Sequence, residues 1–158
     1  GDGATGVSVH LANLHATPIE IVETEFPCRV ERFEPIADSG GAGTHRGGLA
    51  CRREVRVLAP ASVVFRADRA RFPARGLAGG RPGTPSRLVV NPGTPAAKTL
   101  PPSVRLELAA GDSVLIEPAA GGGFGDPAGR DPAALVRDLA EGYITKTGAA
   151  RDYDATAC

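Results

Sequence analysis

The residues able to do chemistry in this 158-residue chain are three histidines, two glycine-rich loops and one run of arginines. A metal needs ligands that converge. His10 and His15 are five apart, an odd spacing that sends them to opposite faces of a strand, and His45 is remote in sequence. Asp38, Asp68, Asp112 and Asp126 border loops, where aspartate commonly closes a turn. No metal site is expected within the chain alone. The loop "GGAGTHRGG" invites a phosphate reading, but a P-loop requires a lysine followed by Ser or Thr, and then a helix. Here both residues are missing and a strand follows. "AGGGFGDP" (Ala120–Pro127) also lacks a lysine, and no helix opens directly from it. These glycines are better read as supplying positive φ and close backbone approach. Among possible nucleophiles, Ser39 and Cys51 stand in no recognisable elbow, and Ser39 reads as a turn residue. "FRADRARFPARG" carries Arg66, Arg69, Arg71 and Arg75 around Phe72. Guanidinium groups so placed could clamp a carboxylate or phosphate. A solvated loop with surface ion pairs is the competing reading.

The elements that must position these groups are mostly strands. "VSVHL" (Val7 to Leu11), "IEIVETEF" (Ile19 to Phe26), "RVERF" (Arg29 to Phe33) and "LACRREVRVL" (Leu49 to Leu58) alternate apolar and polar residues at period two, as strands with one buried face do. Pro27 predicts a bend or an edge position. "ASVVFRAD", "RLVVN", "SVRLEL" and "DSVLIEP" follow, each bounded by Gly or Pro. Helix signals are confined to the C-terminal end. In "RDPAALVRDLAEGYIT", Asp131 stands as N-cap, Pro132 at the first helical position and Gly142 near the end. Leu135, Val136, Leu139 and Tyr143 fall on one face, a stripe that needs burial and predicts docking on a neighbour. A second short helical turn is expected near Thr147. The fold class expected is mainly β, a sandwich or distorted barrel with a short C-terminal helical segment. Residues 1–127 form the β-rich domain and 128–158 its helical tail.

The chain has the length of one domain with one core. Acidic and basic residues balance at 18 each, which argues against nucleic acid or anionic lipid as partners. Glycine and proline exceed a fifth of the chain, yet aliphatic residues are plentiful, so the reading is a loop-rich folded domain. Cys28, Cys51 and Cys158 form no CxxC pair; free, reduced thiols and a cytoplasmic location are expected. No apolar run reaches membrane-spanning length, and "GDGATGVSVH" does not resemble a signal peptide. The chain contains no methionine. That fits an initiator trimmed before Gly1, a processed piece, or a segment of a longer protein.

Three blocks, "DSGGAGTHRGGLACRREV", "ADRARFPARGLAGGRPGTPS" and "AGGGFGDPAGRDPAALVRDLAEGYIT", occur in that order, preceded by "GDGATGVSVHLANLHATPIEIVE". Together they resemble the hydantoinase B family, the partner component of hydantoinase A/oxoprolinase systems, over nearly the whole chain. Family members are considerably longer, and the resemblance is to their C-terminal part. It implies a subunit of an ATP-dependent hydrolase of cyclic amides such as hydantoins or 5-oxoproline. Such a subunit would work with a hydantoinase A-type ATPase and with the remaining N-terminal part of the B-type subunit. ATP and Mg would sit on the partner, any divalent metal elsewhere in the complex, and no cofactor on this chain. Catalysis by this chain alone is not expected. The alternatives are a subunit of an ATP-dependent, biotin-independent ketone carboxylase and a non-catalytic structural subunit. Where the family reads His-Met-Thr-Asn-Thr and then Asn-Thr-Pro, this chain has "HLANLHATP", and Arg75 replaces a common aromatic residue. Those departures imply a changed substrate or lost catalysis. The candidate site residues are His10 and Asn13 as catalytic polar groups on one strand near substrate, with Asp38, Arg46, Asp68 and Arg69 as substrate-binding residues.

Overall fold

The computed structural model describes residues 1–6 and 16–154. The candidate strand Val7 to Leu11, with His10 and Asn13, lies outside the described residues. The remaining chain is mainly β, as expected. Strands β1 (Cys28–Pro35), β2 (Cys51–Val57), β4 (Arg87–Val90), β5 (Lys98–Thr99) and β7 (Ser113–Glu117) form an antiparallel sheet in the order β1-β2-β7-β4-β5. Strands β3 (Ala61–Arg66) and β6 (Ser103–Leu108) pair with each other in a second, two-stranded sheet. Pro27 immediately precedes β1, which is an edge strand, where a missing N–H is tolerated.

The sheets meet through the side chains that period two places on facing sides. Val57, Leu88, Val114 and Leu108 are buried together, and Val63, Phe65, Val104, Leu106, Val90 and Ile116 pack around them. Val55 and Arg53 continue the Val57 face of β2 at two-residue steps, so Arg53 lies at the end of the same face that forms the core. Its cross-strand neighbours are Phe33 on β1 and Ile116 on β7. Beyond the cover of the β3–β6 ribbon this face is open, and there the cleft described below begins.

The stretch Ile19 to Phe26, expected as a strand, is instead helix α1 (Ile19–Glu25). Both periods are present in "IEIVETEF". Ile19, Val22 and Phe26 also recur at helical spacing, and the half-buried positions are Ile19 and Val22. Pro18 sets the first turn, its carbonyl accepting from Val22 N at 3.2 Å, and Glu20 lies favourably near the N-terminus. The Glu23 carboxylate then accepts from Val30 N at 2.8 Å, fixing the helix against β1.

At the other end a 3₁₀ turn (Pro127–Gly129) leads to α2 (Pro132–Ala140) and α3 (Lys146–Tyr153). Asp131 caps α2 as expected, accepting from Ala133 N at 3.0 Å, with Pro132 at the first helical position. The expected second helical turn is α3, capped by Thr145, whose hydroxyl accepts from Gly148 N at 2.9 Å. The α2 stripe does not need a neighbouring molecule. Leu135 is buried with Ile144 and Ala149, and Leu139 and Tyr153 pack around them. The turn at Gly142, with φ +72°, folds the chain back so that α2 and α3 cover each other's apolar sides. Val136 alone of the stripe stays largely exposed.

Candidate functional site

The glycine loop after β1 is a piece of scaffolding. Segments 41–48, 77–83 and 120–125 run beside one another, joined by Gly41 N to Gly121 O, Arg81 N to Ala42 O, Leu77 N to Gly123 O and paired bonds between His45 and Phe124. At Gly41 a Cβ would run into Arg81 O, and at Gly47 into Gly121 O. Close approach is therefore the reason for these glycines. Positive φ is not: within 38–48 only Asp38 adopts it, at +60°. The left-handed glycines expected in this loop are not found there.

Behind the loop lies a buried network of charges. Asp138 on α2 accepts from Arg46 Nε at 3.2 Å and also receives a bond from Arg130 Nη2. Arg130 grips both carboxylate oxygens of Asp2, at 2.9 and 3.0 Å. Arg46 N donates to Asp2 at 2.7 Å, and its Nη1 to Gly47 O at 2.8 Å. The rings of Tyr143 and Tyr153 face the Arg46 and Arg130 guanidinium groups at 5.1 and 5.5 Å. Two arginines and two aspartates balance one another: Arg46, Arg130 and Asp138 are buried, and Asp2, with its side chain 31% exposed, closes the cluster at the surface. The Arg130 hydrogen bonds pull the Asp2 carboxyl from an ordinary 3.8 down to about 2, against the opposing effect of burial. Burial alone would make Arg130 less basic, but Asp2 and Asp138 outweigh it and raise its pKa. Burial raises the Tyr153 phenol.

In front of the loop is an open cleft of about 870 Å³. Its floor is the uncovered end of the sheet, with Phe33, Cys51, Arg53 and Ile116. The 1–6 segment, residues 45–50, residues 118–124, Arg69 and Ala74 form the walls. Among the described residues that line it, every charged side chain is an arginine and none is a carboxylate. His45 stands at the rim with its ring stacked on Phe124 at 6.3 Å between centroids. Burial raises the Cys51 thiol, which keeps it protonated and a poor nucleophile.

The structure separates the candidate site residues. Asp38 is committed to α3, its carboxylate accepting from Thr145 N at 2.8 Å and Thr145 Oγ1 at 2.6 Å. Arg46 reaches the cleft only as part of its wall, since it is 4% exposed and its guanidinium donates inward. Asp68 is exposed and does not line the cleft; its carbonyl accepts from Ser86 Oγ at 2.8 Å. Arg69 does line it, from a left-handed backbone at φ +58°. Of the four arginines in "FRADRARFPARG" it is the one that does. Sequence reasoning missed Arg53, and the signal was the pattern of its neighbours. In β1 and β2 glutamates face Arg52, Arg56 and Arg32, whereas Arg53 faces Phe33. Among the described residues no three His, Cys, Asp or Glu side chains converge as a metal ion would require. No helix there is long and apolar enough to cross a membrane.

A mainly antiparallel β domain with a glycine-built cleft, charged among the described residues by arginines, is the class of protein that fold and site define. Residues 1–127 match the family described as Hydantoinase B/oxoprolinase, and the chain belongs to that family. It is 32% identical over 157 residues to the B-type chain of a "Putative D-/L-hydantoinase" from Pseudomonas sp. (strain NS671), covering 98% of this chain and 26% of that protein. It is 30% identical over 140 residues to the β chain of caprolactamase from Pseudomonas jessenii, covering 85% and 24%. Its fold is similar to the crystal structure of the ATP-dependent caprolactamase from Pseudomonas jessenii. There the TM-score is 0.80 at 27% identity, over 92% of this chain and 26% of that one. It also shares the fold of nucleotide-free acetone carboxylase, with a TM-score of 0.82 at 22% identity, over 96% and 25%. The chain thus spans about a quarter of the length of these relatives.

Proposed function

We propose that this chain is the C-terminal part of a hydantoinase B-like subunit that serves ATP-dependent hydrolysis of a cyclic amide. It works in a complex with a hydantoinase A-type ATPase subunit and the remaining N-terminal part of the B-type subunit. ATP and Mg belong to the ATPase partner. The observation that carries this reading is the likeness to the ATP-dependent caprolactamase, which extends over 92% of this chain. The chemistry is coherent with the cleft. Phosphorylation turns an amide oxygen into a leaving group, and the activated species is anionic. A cleft whose charged groups are arginines favours such a species over its neutral precursor. In this reading His10 and Asn13 supply polar contacts near substrate, and Arg69 orients the anion. Asp38, Asp68 and Arg46 hold the walls in register.

The test is purification of the native complex, followed by substrate-dependent ATP hydrolysis with bicarbonate present or omitted. Turnover of a hydantoin, 5-oxoproline or a related lactam without bicarbonate is expected. An absolute need for bicarbonate would transfer the reading to a ketone carboxylase. Recovery of the chain as a stable free monomer with no ATPase partner would overturn the complex. His10→Ala with intact assembly and unchanged turnover would instead favour a structural subunit.

A further inference from the structure

We infer that Arg53 and Arg69 form an oxyanion-binding subsite in the cleft, for a carboxylate or phosphoryl group. The site stands on how Arg53 is held. It projects from a central strand of the five-stranded sheet, and its guanidinium lies over the Phe33 ring at 4.7 Å. Stacking fixes the plane of the group and spends none of its N–H donors. Every other arginine of β2 lies against a glutamate: Arg52 forms an ion pair with Glu34 at 3.0 Å, and Arg56 donates to Glu31 at 2.9 Å. Glu54, between them, faces Arg32. Arg53 has no carboxylate within 4.0 Å among the described residues, and neither has Arg69.

Period two explains the difference. Arg52, Glu54 and Arg56 point to one face of the sheet, and Arg53 points to the other, where Phe33 and Ile116 flank it. That face opens into the cleft, where no acid among the described lining residues competes for the guanidinium. Arg69 lines the same cleft. Its left-handed backbone is held by Ser86, whose N–H donates to Arg69 O at 3.3 Å and whose hydroxyl donates to Asp68 O. A stacked fork on an apolar floor, without a carboxylate partner among the described residues and with a second arginine lining the same cleft, suits a bidentate oxyanion. The inference deepens the proposed function and rests on it only for what carries the anion. Binding of a simple anion tests the subsite, and turnover tests the function.

The experiment is titration of the full chain, alone and in its native complex, with inorganic phosphate, followed by calorimetry or ³¹P NMR. Saturable binding is expected. Arg53→Gln should weaken it about 10-fold, as loss of charge-assisted bonds does, and Arg69→Gln should weaken it less. Arg53→Lys keeps the charge and loses the fork, so an intermediate affinity is expected from a variant that disturbs packing least. Arg56→Gln, on the opposite face, should leave binding unchanged. Displacement of phosphate by 5-oxoproline and not by uncharged hydantoin supports the subsite with a substrate carboxylate as its anion. Displacement by neither supports it with a phosphoryl group. Absence of phosphate binding overturns the subsite, as does equal loss in Arg56→Gln or full affinity in both Arg53 variants.

Discussion

Two groups of arginines on this small domain meet carboxylates in opposite surroundings. On the outward face of β1 and β2, Arg32, Arg52 and Arg56 pair with Glu54, Glu34 and Glu31 across neighbouring strands. Behind the glycine loop, Arg46 and Arg130 enclose Asp138 with side chains 7% exposed or less. The contacts look alike, but water decides their worth. An exposed pair exchanges hydration for a contact of similar energy, whereas a buried pair that loses one member leaves a charge with neither water nor partner. The surface ladder therefore sets strand register and solubility. The buried network holds the cleft wall, the 1–6 segment and the C-terminal helices in one arrangement.

Asp138→Ala is the severest lesion expected in the buried group. It takes from Arg46 its carboxylate partner in a buried site and leaves Arg130 with Asp2 alone, and the expected cost is about 3–5 kcal/mol of stability. Denaturant unfolding of the full chain measures it. A loss no larger than that of a surface pair would show that water reaches the network and would erase the contrast. Replacing Leu88, the core residue at 2% exposure, by Ala gives a reference on the same scale. Its expected cost is about 2–5 kcal/mol from lost burial and the cavity left behind. The electrostatic and the hydrophobic lesion should thus be comparable, although one lies in the sandwich and the other outside it.

A milder probe of the same network is pH. The folded Asp2 carboxyl titrates at about 2 against an ordinary 3.8. Its ion pair with Arg130 is therefore fully stabilising above pH 4 and is lost as pH falls from about 4 to about 2. Asp112, lowered by Asn91 and the Ala109 amide, and Asp152, lowered by Arg151 and Arg81, titrate in the same direction. Stability should fall with acid over that window. Asp2→Asn should flatten the fall without removing it, because Asp112 and Asp152 remain. An unchanged slope in Asp2→Asn would show that the Asp2–Arg130 pair does not form in solution.

How much of this was legible in the sequence follows the range of each interaction. The α2 start was readable because Asp131, Pro132 and the amide of Ala133 lie within one turn. The strands of the sandwich were readable because alternation is local. α1 was not, because seven residues satisfy period two and period 3.6 equally well, and Pro18 tips the balance. The two-residue strand β5 carries too little pattern to read. Arg46 was singled out as a polar end of the glycine loop, but its partner Asp138 is 92 residues away, and nothing in "GTHRGG" reveals it. Arg53 became distinctive only once the register set it opposite Phe33 and set its neighbours opposite glutamates. Family membership was the most legible property of all, since spaced blocks survive where pairwise contacts cannot be read.

The mildest lesion lies in the exposed group. Arg56 pairs with Glu31 at 2.9 Å and also donates to Gly111 O at 2.8 Å, and its side chain is 42% exposed. Arg56→Gln removes the charge and leaves a side chain that still covers part of the strand. Such a pair is worth about 0.2–1 kcal/mol at low salt and less as ionic strength rises, because its field is screened within about 10 Å at 0.1 M. Denaturant midpoints of the parent chain and Arg56→Gln should therefore differ slightly in dilute buffer and converge at 1 M salt. The difference between the parent chain and Asp138→Ala should persist, since salt does not reach a pair sealed between the loop and α2. Convergence in one variant and persistence in the other would establish that exposure, and not the identity of the paired residues, separates the two groups of arginines.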